Sequence, residues 1–124
     1  MVQIHQFDPV IYPFKLWVAV TDNIAVLNER FCRMNGADLD MKVDDYEAVT
    51  YYVKEREGNL YKGSLIVFTE ERWMTIKIIA HEAVHVARRC WEHVGEDVIG
   101  EEADAYLVGW IAKCIGEVKD GISD

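Results

Sequence analysis

Apolar and polar positions divide the chain into segments of two periods. Residues 10–20 form a dense run of Val, Ile, Tyr and Trp, the composition of a strand. Pro13 has no N–H for a ladder, which suggests an edge position or a bulge near the start of that run. Thr21 or Asp22 can cap a following helix. Ile24, Leu27 and Phe31 recur at helical spacing, so a helix is expected over 23–34 and Asn35-Gly36 is expected to end it. Residues 47–57 alternate, with Val49, Tyr51 and Val53 on one side. Gly58-Asn59 is a turn signal, and residues 60–69 resume strand character with a second turn or bulge expected at Gly63. The two runs read as an antiparallel hairpin.

The period then lengthens. Residues 71–92 carry Trp73, Ile76, Ile79, Ala80, Ala83, Val84 and Ala87 at helical spacing, with Gly95 as the expected stop. A second helix is expected over 101–117. Its inward face is read from Ala103, Tyr106, Leu107, Trp110, Ile111 and Cys114. Residues 119–124 look frayed. The order β-α-β-β-α-α predicts one α+β domain over residues 1–124.

Composition narrows the function classes. A chain of 124 residues with 51% apolar content can bury a core without disulfides or a structural metal. Its net charge of −9 repels phosphate backbones, and no Lys or Arg run offsets it, so no nucleic-acid partner is expected. Cys32, Cys90 and Cys114 are odd in number and form no CxxC pair, which fits reduced thiols used as core filler. No signal peptide and no membrane-spanning run are visible, so a cytoplasmic protein is expected, in a bacterium or a phage-infected host. Asp38, Asp40, Asp44 and Asp45 lack the EF-hand spacing and read as a solvated loop.

The chemistry concentrates in His81-Glu82-Ala83-Val84-His85, an HExxH motif inside a helical segment. Residues i and i+4 lie one above the other on a helix, so two imidazoles can reach one ion. Glu82 projects about 100° around the helix from His81 and can reach a metal-bound water without being a ligand. Zinc brings that water's pKa toward about 7, and a carboxylate can then take its proton. A surface His pair is the plain alternative. The flanks Ile78-Ile79-Ala80 and Val86-Ala87 argue against it, because uncharged apolar flanks imply a helix partly buried around the motif.

A catalytic zinc usually takes three protein ligands. The HExxHxxGxxH pattern fails, since Arg88 and Trp91 stand at its last two positions. His93 is about 12 Å along the same helix from His85, and Cys90 lies on a helix that cannot bend back. An acid on the next helix, Glu101-Glu102-Ala103-Asp104, is the better donor. Glu102 lies roughly 100° from the centre of the expected inward face and Glu101 roughly 160°, which favours Glu102 and leaves Glu101 as the alternative.

HExxH followed by a Glu on a second helix resembles the gluzincin-type zincins. The pairing of HEAVH with EEADAYLVGWI is similar to small phage- and prophage-encoded HExxH proteins and, more loosely, to the ImmA/IrrE metallopeptidase group. That resemblance covers about residues 81–111. It implies a minimal zincin-like domain and a zinc metallopeptidase acting on a protein or peptide. His81, His85 and Glu102 would hold Zn2+, Glu82 would be the base, and the strand at 65–69 would line the cleft and pair with an extended substrate. The chain departs from the pattern at Tyr106, where many gluzincins carry an Asp; Asp104 comes two residues too early. Tyr106 reads as a core aromatic, with an oxyanion role as its alternative. Trp73, Trp91 and Trp110 read as packing groups. Arg88-Arg89 reads as a solvated face, with a substrate carboxylate as the alternative partner. Against the peptidase stand a non-catalytic, phage-type binding module that keeps the fold and metal, and a structural zinc domain; structural sites are usually Cys-rich.

Overall fold

Alternation in the second quarter of the chain builds the centre of the molecule. The computed structural model describes residues 3–9, 13–40, 47–57, 61–95 and 100–123. In chain order these hold β1 (Gln3–Phe7), β2 (Lys15–Val20), α1 (Ile24–Arg30), β3 (Phe31–Arg33), β4 (Ala48–Glu55), β5 (Lys62–Phe68), α2 (Ile76–Val94) and α3 (Glu101–Ser123). A short 3-10 turn, Glu71–Trp73, precedes α2. The hairpin expected from the sequence is β4–β5, antiparallel, with Tyr51 opposite Leu65 and Thr50 opposite Ile66. Among the described residues the fold is mixed α/β, with three helices and a five-stranded mixed sheet of order β1-β2-β5-β4-β3.

The sheet is covered on both faces. Leu16, Val18, Ile66 and Phe68 pack with Ala83, Val86, Cys90 and Trp91 of α2 and with Leu107, Ile111 and Ile115 of α3. Trp17, Ala19, Leu65, Val67, Tyr51 and Val53 point the other way, toward Leu27, Phe31 and Leu39. Strand β5 is buried on both sides, so its end reads Leu65-Ile66-Val67-Phe68 without alternation.

Several boundaries differ from the sequence expectation. Strand β1 was not anticipated; it pairs antiparallel with β2 and puts β2 inside the sheet. Pro13 therefore marks no edge strand but stands ahead of β2, outside the ladder. Asn23, not Thr21 or Asp22, caps α1, its side chain accepting from the Ala25 N–H. That helix stops at Arg30, and Phe31–Arg33 turns extended to pair with Val53–Glu55. Gly63 forms no turn. It lies inside β5 opposite Lys15 and Val53, where a Cβ would stand 1.9 Å from the Lys15 carbonyl oxygen. Gly58-Asn59 and the acids Asp44 and Asp45 fall outside the described residues.

Helix α2 begins at Ile76, its Thr75 cap accepting from the Ile78 N–H at 3.3 Å, and ends as expected on Gly95 with φ 79°. Helix α3 runs past the expected end to Ser123, because Ile115 and Val118 continue its buried stripe. The stripe itself is rotated from the expected one. Leu107, Ile111, Cys114, Ile115 and Val118 are buried, while Ala103 is exposed and Tyr106 is 76% exposed, which removes Tyr106 from the core. Asp104 faces α2, accepting from the Trp91 indole N–H at 2.9 Å and pairing with Arg88 at 3.4 Å. No described helix is long and apolar enough to cross a membrane.

Candidate metal centre

Helix α2 has two faces of different character, and the HExxH motif sits on their border. Ala83, Val86, Ala87 and Cys90 turn into the core, whereas His81 and His85 are exposed. Glu82 lies between, only 5% exposed, against the sheet. Burying a carboxylate there is costly unless it is hydrogen-bonded. Thr50 of β4 supplies the bond, its hydroxyl donating to Glu82 Oε1 at 2.9 Å. The other oxygen, Oε2, lies 3.7 Å from His81 Nε2.

The two imidazoles converge. Their Nε2 atoms are 3.2 Å apart, with ring centroids at 4.8 Å. Two nitrogens bound to one tetrahedral zinc at about 2.0–2.1 Å stand about 3.3 Å apart, so the donor spacing suits a shared ion. Donor atoms of His81, Glu82 and His85 all lie within 4.8 Å of one another, the metal-capable cluster found among the described residues. From the sequence, His81 and His85 are expected as ligands and Glu82 as the base beside them. Two imidazoles and a carboxylate suit several divalent ions, zinc among them.

Glu102 does not join the cluster. It is exposed and lies roughly 180° around α3 from the buried Ile111. The expected edge position rested on an inward face that included Ala103 and Tyr106, and that face is not the one that packs. Glu101 is exposed as well. His93, distant along the helix as expected, has Nδ1 2.6 Å from the Tyr52 hydroxyl and packs on the Phe14 ring at 5.2 Å. Burial pushes the Tyr52 phenol above its ordinary value. Cys90 faces the core, and burial pushes its thiol up to about 11, so it offers no thiolate near neutrality.

A cleft of about 560 Å³ opens over the motif, between Ala48–Thr50 of β4 and the exposed face of α2 from His81 to Glu92. The strand beside it corrects an expectation. Strand β5 is paired on both sides, with β2 and with β4, so it has no ladder to offer a substrate. Strand β4 does. Short β3 covers only Val53–Glu55, and the outer edge of residues 48–52 carries no strand among the described residues. Thr50, the hydrogen-bond partner of Glu82, was missed by sequence reasoning. The signal was present: alternation placed Val49, Tyr51 and Val53 on one face, which leaves Thr50 and Tyr52 on the other, facing α2.

No family model, no curated protein and no solved structure matches this chain.

Proposed function

We propose that the chain is a metal-dependent hydrolase of the metallopeptidase type, with His81 and His85 as metal ligands and Glu82 as general base. The observation that carries this reading is the state of Glu82. Its carboxylate is buried, one oxygen is tied to Thr50, and the other is turned toward the converging imidazoles. A buried acid held by one oxygen and aimed with the other is prepared to receive a proton at a fixed place. Bound zinc would supply Lewis acidity and a water acidified toward a pKa of about 7. Glu82 Oε2 takes the proton from the attacking water and returns it to the leaving amine. Thr50 keeps the carboxylate from rotating away between those transfers. The edge of β4 that carries no strand among the described residues would hold an extended peptide by main-chain hydrogen bonds along the cleft. An HExxH helix beside such an edge strand supports a minimal zincin-like scaffold. The ligand set in this reading is the His pair completed by solvent or substrate, with no part for Glu102.

The exposure of Glu102 favours a second reading, a peptide-binding module that holds a metal loosely and does no chemistry. Glu82→Gln separates the two. The peptidase reading expects the variant to keep the wild-type metal content and to lose at least about 100-fold in cleavage of a mixed pool of unstructured peptides. Equal cleavage by variant and wild type removes Glu82 as base. Loss of the metal in the variant makes Glu82 a ligand. A metal-loaded wild type that leaves the whole pool intact is the binding module.

A further inference from the structure

Beyond the motif the groove along β4 continues into a second cleft of about 310 Å³, which shares Thr50 and Arg89 with the first. Among the described residues its lining is Arg33, Met34, Asn35, Thr50, Tyr51, Tyr52 and Arg89, with two cations and no carboxylate. In a chain of net charge −9 two arginines meet at this one cleft, each paired with an exposed acid, Asp40 or Glu92. From this composition and its place we infer that the end of the groove is a carboxylate-binding subsite for the peptide proposed above. The inference rests on the peptidase reading of the site and deepens it.

The geometry gives the subsite its form. Arg33 of β3 pairs opposite Val53 and blocks the edge of β4 there. Thr50, which marks the position of Glu82, is three residues earlier, about 10 Å along an extended strand. A peptide lying along β4 beside residues 48–52, where no described strand pairs, therefore runs about three residues past the motif before it meets Arg33. The two guanidinium groups flank this point from opposite faces of the sheet. Arg33 lies over the Tyr51 ring at 5.4 Å and Arg89 over the Tyr52 ring at 5.8 Å. Tyr51 packs with the α1-side core and Tyr52 with the α2-side core. Side chains of an extended peptide alternate between the same two faces, so a carboxylate on either side meets one arginine. A terminal carboxylate in the plane of the edge can reach both. Each arginine also has an acidic neighbour, Asp40 for Arg33 and Glu92 for Arg89. Those pairs are solvent-exposed, contribute little energy and exchange easily for a bidentate ligand. An acidic side chain and a free C-terminus present the same chemistry here.

Binding to Glu82→Gln protein loaded with zinc tests this without turnover. The probes are fluorescein-labelled heptapeptides of Ala and Ser, with a single Glu or Gln moved along the chain and the C-terminus free or amidated. The expected result is about ten-fold tighter binding, or about 1.4 kcal/mol, for at least one carboxylate placement over its Gln or amide counterpart. Adding Arg33→Met or Arg89→Met should remove that preference while zinc content and the circular dichroism spectrum stay unchanged. Preference surviving in amidated Glu peptides assigns the carboxylate to a side chain; preference confined to free acids assigns it to the C-terminus. Peptides that bind with equal affinity whatever their charge overturn the subsite and leave the peptidase reading standing. If no peptide binds to zinc-loaded protein, the peptidase reading fails and the subsite fails with it.

Discussion

Thr50 and Glu82 form the contact on which the proposed chemistry turns, and it reaches across 32 residues of sequence. Thr50→Val keeps the shape of the side chain and removes the donor. Glu82 Oε1 is then buried without its partner, which costs about 1–3 kcal/mol. Urea denaturation should show a loss of that size, with metal content unchanged and peptide cleavage reduced. An unchanged urea midpoint would mean that solvent satisfies the carboxylate and that Thr50 is dispensable. At this scale the sequence was legible where chemistry depends on spacing within one helix. His81 and His85 are four residues apart, and helical pitch alone brings them together. It was not legible for Glu102, because its direction depends on which side of α3 packs. Ala103 and Tyr106 suit a core or a surface equally well, and they misplaced the centre of that face; Leu107, Ile111 and Ile115 settle it only once the neighbouring helix is seen.

Among the elements, β2 and β5 approach closely at Gly63. Gly63 brings the β5 backbone against Lys15, where a methyl group would stand 1.9 Å from the carbonyl oxygen. Gly63→Ala must therefore push the two strands apart and should cost about 3 kcal/mol or more, at the upper end of overpacking effects. Thermal unfolding of the variant reads this, and a melting temperature equal to that of wild type would show that the strands separate without cost. The same glycine shows why the sheet was only partly readable. A glycine inside a strand signals either a bulge or a close approach, and the distinction lies in β2, far away in sequence. Phe31 presents the same ambiguity: its spacing from Leu27 fits a helix, yet pairing with Glu55 makes it a strand residue. Strand β1 escaped notice because Gln3–Phe7 is short and half polar. Its place is fixed by pairing with β2 and by the Trp17 indole N–H donating to Gln6 at 3.1 Å. The β4–β5 hairpin, α2 and the start of α3 were legible because each carries its own period over many residues.

Across the whole molecule, helices and sheet are joined by an apolar interior that includes the thiols of Cys90 and Cys114. Burial pushes Cys90 and Cys114 from 9.0 up to about 11. The folded state thus holds these protons more tightly than the unfolded chain. Their contribution to stability is complete below pH about 9 and is lost as pH rises toward about 11. Urea midpoints should fall between pH 8.5 and 11, in this approximate window of the two thiols, and fall less steeply in a Cys90→Ala, Cys114→Ala double variant. Equal slopes would show that the thiols do not contribute. The central claim concerns His81 and His85, whose Nε2 atoms stand 3.2 Å apart. Nondenaturing mass spectrometry after zinc loading and removal of excess metal tests it directly. The wild-type chain should retain about one ion, and His81→Ala and His85→Ala should each retain none. Equal occupancy in all three proteins would contradict the account and place the metal elsewhere.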